Sequence, residues 1–62
     1  MSIRDLATKT TPQGVVTAVW YDEAEKNFVV QHEFVHLSFY EPDFVAFVET
    51  LVEARNKFEH GG

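Results

Sequence analysis

The stretch "VVQHEFVHL", Val29 to Leu37, decides how this chain folds. Its apolar positions step from Val30 to Val35, an odd interval, whereas side chains on one face of a strand repeat every two residues. An odd step moves the pattern to the other face, so the sequence predicts a tight turn or a β-bulge near Gln31-His32-Glu33. A single bent strand over residues 28–39 is the alternative, since no glycine marks a turn there.

Strand signals continue on both sides of this stretch. The run Val15–Tyr21 is rich in β-branched and aromatic residues, which is typical of a strand. The charged segment 22–27 is of hairpin type and leads to Phe28, where the apolar pattern resumes. We therefore predict an antiparallel sheet of two or three strands, at about 14–22, 27–32 and 34–39.

The C-terminal part of the chain has the spacing of an amphipathic helix. Apolar or long side chains recur at i, i+3, i+4, i+7, i+11 and i+14, and they are Phe44, Phe47, Val48, Leu51, Arg55 and Phe58. Pro42 suits a first helical turn. The sequence thus predicts an α+β domain, ββ(β)α, with one helix at about 42–58, and we expect Val35 and Leu37 to pack beneath that helix.

The size of the chain bears on its association. A chain of 62 residues buries only about 60% of its unfolded surface, and this one has no cysteine for disulfides. We interpret residues 1–13 as a polar N-terminal leader, and residues 14–60 as a single α+β domain. Apolar residues occur on both faces of the first predicted strand, and one helix covers one face, so we expect a homodimer. The alternative is that the leader covers Trp20 through Ile3 and Leu6.

Charge and composition exclude several classes of protein. Ten acidic residues stand against five basic ones, the net charge is -5, and Lys and Arg do not cluster, which disfavours direct nucleic-acid binding. The sequence has no apolar run of about 18 residues, so we expect no membrane span. The N-terminal residues lack the apolar run of a signal peptide, and we predict a cytoplasmic protein.

The pentapeptide His32-Glu33-Phe34-Val35-His36 resembles the H-E-x-x-H motif of the zincin family of zinc peptidases. The resemblance implies that His32 and His36 are metal ligands and Glu33 the general base, all on one helix. A helical turn brings such histidines to about 5 to 6 Å, whereas four residues of strand separate them by about 13 Å. Because we predict strand here, we assign no metal, cofactor or catalytic residue. On one strand, His32, Phe34 and His36 would share a side.

These observations favour a small acidic, non-enzymatic protein-binding module, such as an inhibitor, adaptor or regulatory subunit. It would act as a homodimer toward a protein partner that the sequence leaves unknown. The candidate interface residues are Trp20, Tyr21, His32, Phe34 and His36. One alternative is a zinc-binding protein or minimal metallopeptidase that uses residues 32–36. Another is a nucleic-acid mimic that inhibits a DNA- or RNA-binding protein, since acidic residues cluster at 22–25 and on the helix.

Overall fold

The computed structural model describes residues 2–61. These residues form four strands and one helix, which are β1 (Ile3–Thr10), β2 (Val16–Asp22), β3 (Asn27–His32), β4 (Val35–Phe39) and α1 (Glu41–Glu59). The strands make one antiparallel sheet in the order β1-β2-β3-β4. The predicted α+β class with a C-terminal helix is confirmed. The predicted number of two or three strands is wrong, because residues 2–61 contain four.

The additional strand, β1, lies within residues 1–13, which the sequence analysis interpreted as a polar leader. All eight of its residues are exposed, and its two large apolar side chains, Ile3 and Leu6, are three residues apart, so they do not show the period of two that marks a strand face. It pairs with β2 from Ile3 opposite Asp22 to Thr10 opposite Val16, with a bulge between Asp5 and Ala7. The N-terminal segment therefore extends the sheet at its edge. It does not fold over Trp20, as the alternative interpretation proposed.

A proline–glycine turn reverses the chain between β1 and β2. The Gly14 amide donates to the Thr11 carbonyl at 2.9 Å, and the Val15 amide donates to the Thr11 hydroxyl at 3.1 Å. Gly14 has φ 87°, a conformation that only glycine adopts without strain, and Pro12 fixes φ at the second position of the turn. This turn gives β1 its place beside β2.

A two-residue turn separates β3 from β4. His32 is paired with Val35, so the loop consists of Glu33 and Phe34. Glu33 has φ 56°, and its amide donates to the Val16 carbonyl at 3.1 Å. The tight turn predicted from the change of apolar phase is confirmed, and the single bent strand over residues 28–39 is not formed.

The register assigns the strand residues to two faces of the sheet, because directly opposed residues in antiparallel strands share a face. The helix face, so named because α1 contacts it, comprises Thr17, Val19, Tyr21, Phe28, Val30, His32, Val35, Leu37 and Phe39. In β2, β3 and β4, the opposite face comprises Val16, Ala18, Trp20, Asp22, Asn27, Val29, Gln31, His36 and Ser38. The helix face is the more apolar of the two.

Aromatic rings anchor the beginning of α1 to the helix face. Phe44 stacks on Phe28, with ring centroids 4.2 Å apart and planes 1° apart. Phe47 stacks on Phe39 at 4.7 Å. One residue separates the end of β4 from the start of the helix, so these contacts lie close in sequence to the connection at Tyr40.

The rest of α1 leaves the sheet. Leu51 is 54% exposed and Phe58 is 83% exposed. The longest dimension of the molecule is 44 Å, well beyond the roughly 28 Å of a 19-residue helix, so the helix extends past the sheet. Val35 and Leu37 are 54% and 41% exposed. The expectation that they pack beneath the helix of their own chain is therefore wrong.

The described part of the chain has no hydrophobic core. None of residues 2–61 is buried. The radius of gyration is 13.3 Å, whereas a compact domain of this length has about 11 Å. Within the same residues, no helix is long and apolar enough to cross a membrane. Large apolar surfaces of one chain thus face outward.

Candidate interaction site

The structure divides the five candidate interface residues between three places. Trp20 and His36 lie on the opposite face of the sheet, and Tyr21 and His32 lie on the helix face. Phe34 lies in the turn between β3 and β4. The five residues therefore do not form one patch.

Trp20 and His36 meet across strand β3. Their rings are perpendicular, at 87°, with centroids 5.9 Å apart. Trp20 is half-buried and His36 is exposed, and Gln31 and Ser38 lie on the same face. An aromatic centre among hydrogen-bonding side chains is the usual composition of a protein-binding surface.

Tyr21 and His32 have local partners on the helix face. Tyr21 packs against Phe28 at 4.8 Å, and the Arg4 guanidinium lies 5.7 Å from the centroid of the Tyr21 ring. His32 Nδ1 is 2.9 Å from Thr17 Oγ1, which is a cross-strand hydrogen bond. Both side chains are thus engaged in holding adjacent strands together.

Phe34 is an apolar side chain in open solvent. It is 97% exposed at the tip of the β3–β4 turn. No packing in the single chain accounts for its ring. It is therefore the candidate interface residue most available to another molecule.

The H-E-x-x-H pentapeptide does not form the chelate that the zincin resemblance implies. The two-residue turn places His32 opposite Val35 and His36 opposite Gln31, so the two imidazoles lie on different faces of the sheet. The expectation that His32, Phe34 and His36 share one side of a strand is wrong for the same reason. Among residues 2–61, no three His, Cys, Asp or Glu side chains are grouped so as to hold a metal ion.

The acidic residues at the β2–β3 hairpin have structural partners. The Asp22 carboxylate accepts hydrogen bonds from the amides of Ala24 at 3.0 Å and Glu25 at 3.2 Å, which closes the turn. Glu23 lies 3.9 Å from the Arg4 guanidinium. Asp22 and Glu23 therefore have partners within the chain, as expected of carboxylates in a solvated turn.

The sequence identified the apolar stripe of α1 but did not show that much of it is exposed. The helical spacing identified the apolar stripe of α1, but it assigned that stripe to the sheet of the same chain. Past Phe47, the stripe is exposed, and so are Val35 and Leu37 on the helix face. The length of the helix and the short connection at Tyr40 could have indicated that part of the stripe is exposed. A long helix that is held to the sheet only at its first turns need not pack along the sheet over its whole length.

Comparisons with known proteins identify no relative. No protein-family model, curated protein or solved structure matches the chain. The interaction surfaces are therefore interpreted from their own geometry.

Proposed function

We propose that this chain is a non-enzymatic protein-binding module that acts as a homodimer. The observation that carries the proposal is that none of residues 2–61 is buried, although 45% of the sequence is hydrophobic. Burial of apolar surface is the main favourable term in folding. A chain that buries so little alone gains most of its stability by covering these surfaces with another protein.

The opposite face of the sheet is the surface that we assign to a different protein. It has Trp20 near its centre, with the His36 ring perpendicular to it and the polar groups of Gln31 and Ser38 beside it. Tryptophan is enriched among the residues that contribute most to binding energy. An inhibitor, an adaptor or a regulatory subunit needs no more than such a surface.

The non-enzymatic part of the proposal is supported by the position of the two histidines. A zincin-like site needs both imidazoles on one metal, with zinc–nitrogen bonds of about 2.0 to 2.1 Å. His32 and His36 lie on different faces of the sheet. Zinc binding and nucleic-acid mimicry are alternatives that no contact of the described residues favours.

Native mass spectrometry of the untagged protein, with and without added zinc, tests the homodimer and the metal alternative together. We expect a metal-free species of twice the 7.1 kDa chain mass. A metal-free monomer at micromolar concentration would overturn the homodimer. A stoichiometric zinc adduct would overturn the assignment of residues 32–36 as ordinary sheet and turn residues.

The partner-binding surface is tested by quantitative affinity enrichment from the cells that produce the protein. We expect at least one protein that wild type enriches and Trp20→Ser does not. Glu53→Gln, a change on the outer side of the helix, is the matched control and should enrich the same protein. Equal enrichment by all three forms would exclude Trp20 from the binding surface.

A further inference from the structure

We infer that a second copy of this chain covers the helix face of the sheet, and that each helix α1 lies over the sheet of its partner. This inference rests on the homodimer proposed above and specifies its interface. It assigns the opposite face, with Trp20 and His36, to the outside of the dimer. The arrangement follows from surface area, chemical composition and the reach of the helix.

The exposed area of one chain matches what a dimer interface requires. The accessible surface is 5148 Å², whereas a compact monomer of this mass exposes about 4,100 Å². The excess of about 1,000 Å² per chain is slightly above the roughly 800 Å² that each partner buries in a standard interface. One symmetric interface would therefore reduce the accessible surface per chain to about the value expected of a compact protein of this mass.

Two apolar surfaces supply this area, one on the helix and one on the sheet. The open stripe of the helix comprises Val45, Val48, Leu51, Val52 and Phe58. On the helix face, Val35 and Leu37 are exposed, and Val19 and Val30 beside them are half-buried. A helix stripe packed on a sheet face is the layer arrangement of α+β proteins. In a two-fold dimer, the helix stripe of each chain covers the helix face of the other chain, so both surfaces are covered without a third chain.

The composition of the two sheet faces selects the helix face for the second copy. The centre of the helix face is aliphatic in β2, β3 and β4, and its β4 residues are exposed. The opposite face places Gln31, His36 and Ser38 beside Trp20. Burial of these polar groups costs free energy unless each finds a hydrogen-bond partner, whereas burial of Val and Leu does not. A dry, permanent interface therefore favours the helix face.

The position of α1 directs it toward a neighbouring molecule. The helix contacts β3 and β4, through Phe44 and Phe47, on the side of the sheet where β4 is the edge strand. Beyond Phe47 it extends past its own sheet. A second copy related by a two-fold axis near this edge would receive the outer half of the helix on its own helix face.

Charge substitutions in the two surfaces test the interface. Leu51→Glu in the helix stripe and Leu37→Glu in the sheet should each raise the dimer dissociation constant about a hundredfold or more, because each buries an unpaired carboxylate. Ala46→Glu on the outer side of the helix and Ser38→Glu on the opposite face add the same charge outside the interface, at exposed positions. We expect wild-type dissociation constants for both controls in sedimentation equilibrium.

Cysteine cross-linking keeps the test independent of any variant that fails to fold. The chain has no cysteine, so Leu37→Cys and Leu51→Cys each introduce a single thiol. After the two variants are mixed and oxidised, we expect a disulfide-linked heterodimer, whereas a mixture of Gln31→Cys and Leu51→Cys should give none. A wild-type dimer that persists in both charge variants and gives no cross-link between positions 37 and 51 would overturn the interface but not the homodimer. A monomeric wild type would overturn both.

Discussion

At the scale of single residues, Glu33 is in an unfavourable backbone conformation. Its φ of 56° lies in the left-handed region, where side chains other than glycine and asparagine are uncommon. The two-residue turn requires this conformation, because His32 and Val35 are a cross-strand pair. Glu33, which the zincin resemblance would make a general base, is the first residue of the two-residue hairpin turn.

We expect Glu33→Gly to raise the free energy of unfolding by about 0.5 to 1 kcal/mol. Relief of the left-handed conformation contributes roughly 1–2 kcal/mol, and the greater freedom of glycine in the unfolded chain offsets part of it. The backbone amide at this position would still donate to Val16. Urea unfolding at fixed chain concentration measures the change.

Glu25→Gly is the matched control, because Glu25 lies in the other charged turn without a positive φ. That variant should be slightly less stable than wild type. If Glu33→Gly were destabilised to the same extent as Glu25→Gly, the left-handed conformation would not be the dominant effect at Glu33.

At the scale of elements, a few aromatic rings hold α1 to the sheet. Phe44 contacts both Phe28 and Phe39, and Phe47 stacks on Phe39. Stacked aromatic pairs contribute about 0.5–1.5 kcal/mol beyond the area that they bury. The orientation of a 19-residue helix therefore depends on side chains in its first two turns.

We expect Phe44→Ala to reduce the free energy of unfolding by about 2 to 3 kcal/mol, below the usual range for a fully buried phenylalanine because Phe44 is half-buried. Chemical denaturation followed by the fluorescence of Trp20 measures this loss. Glu53→Ala, on the outer side of the same helix, is the control and should not destabilise the protein. Equal stability of Phe44→Ala and wild type would show that the ring stack does not hold the helix.

Strand β1 is the element that the pattern of apolar residues in the sequence could not identify. Sequence patterns located β2, β3, β4 and α1 because each carries apolar residues at strand or helix spacing. An edge strand with two open faces needs no such spacing, and its Arg4, Asp5 and Lys9 are charges that discourage pairing with other edges. The signal that could have found it is the Thr11–Gly14 turn, which reverses the chain just before β2.

At the scale of the whole molecule, one chain is a sheet whose helix face is only partly covered by its own helix. The sheet has apolar residues on the helix face, the helix covers one end of that face, and none of residues 2–61 is buried. In a small domain the favourable terms only narrowly exceed the loss of conformational entropy. Folding and association of this chain should therefore be coupled.

We expect the midpoint of thermal unfolding to rise by about 5 °C for each tenfold increase in chain concentration, because association stabilises the folded state by mass action. Circular dichroism over two decades of concentration measures the shift. Leu51→Glu should abolish the dependence, and Ala46→Glu, on the outer side of the helix, should retain it. A concentration-independent midpoint for the wild type would mean that one chain folds alone.

The fold class and the local structure of most elements follow from the sequence alone. The phase change between Val30 and Val35 predicted the turn, and the spacing from Phe44 to Phe58 predicted the helix, because periodicity and turn chemistry act between near neighbours. The tertiary structure sets which residues lie together. It paired β1 with β2, placed His32 and His36 on different faces, and directed α1 away from Val35 and Leu37. These outcomes depend on register and on the direction of one helix, which a local pattern does not specify because several arrangements satisfy the same spacing.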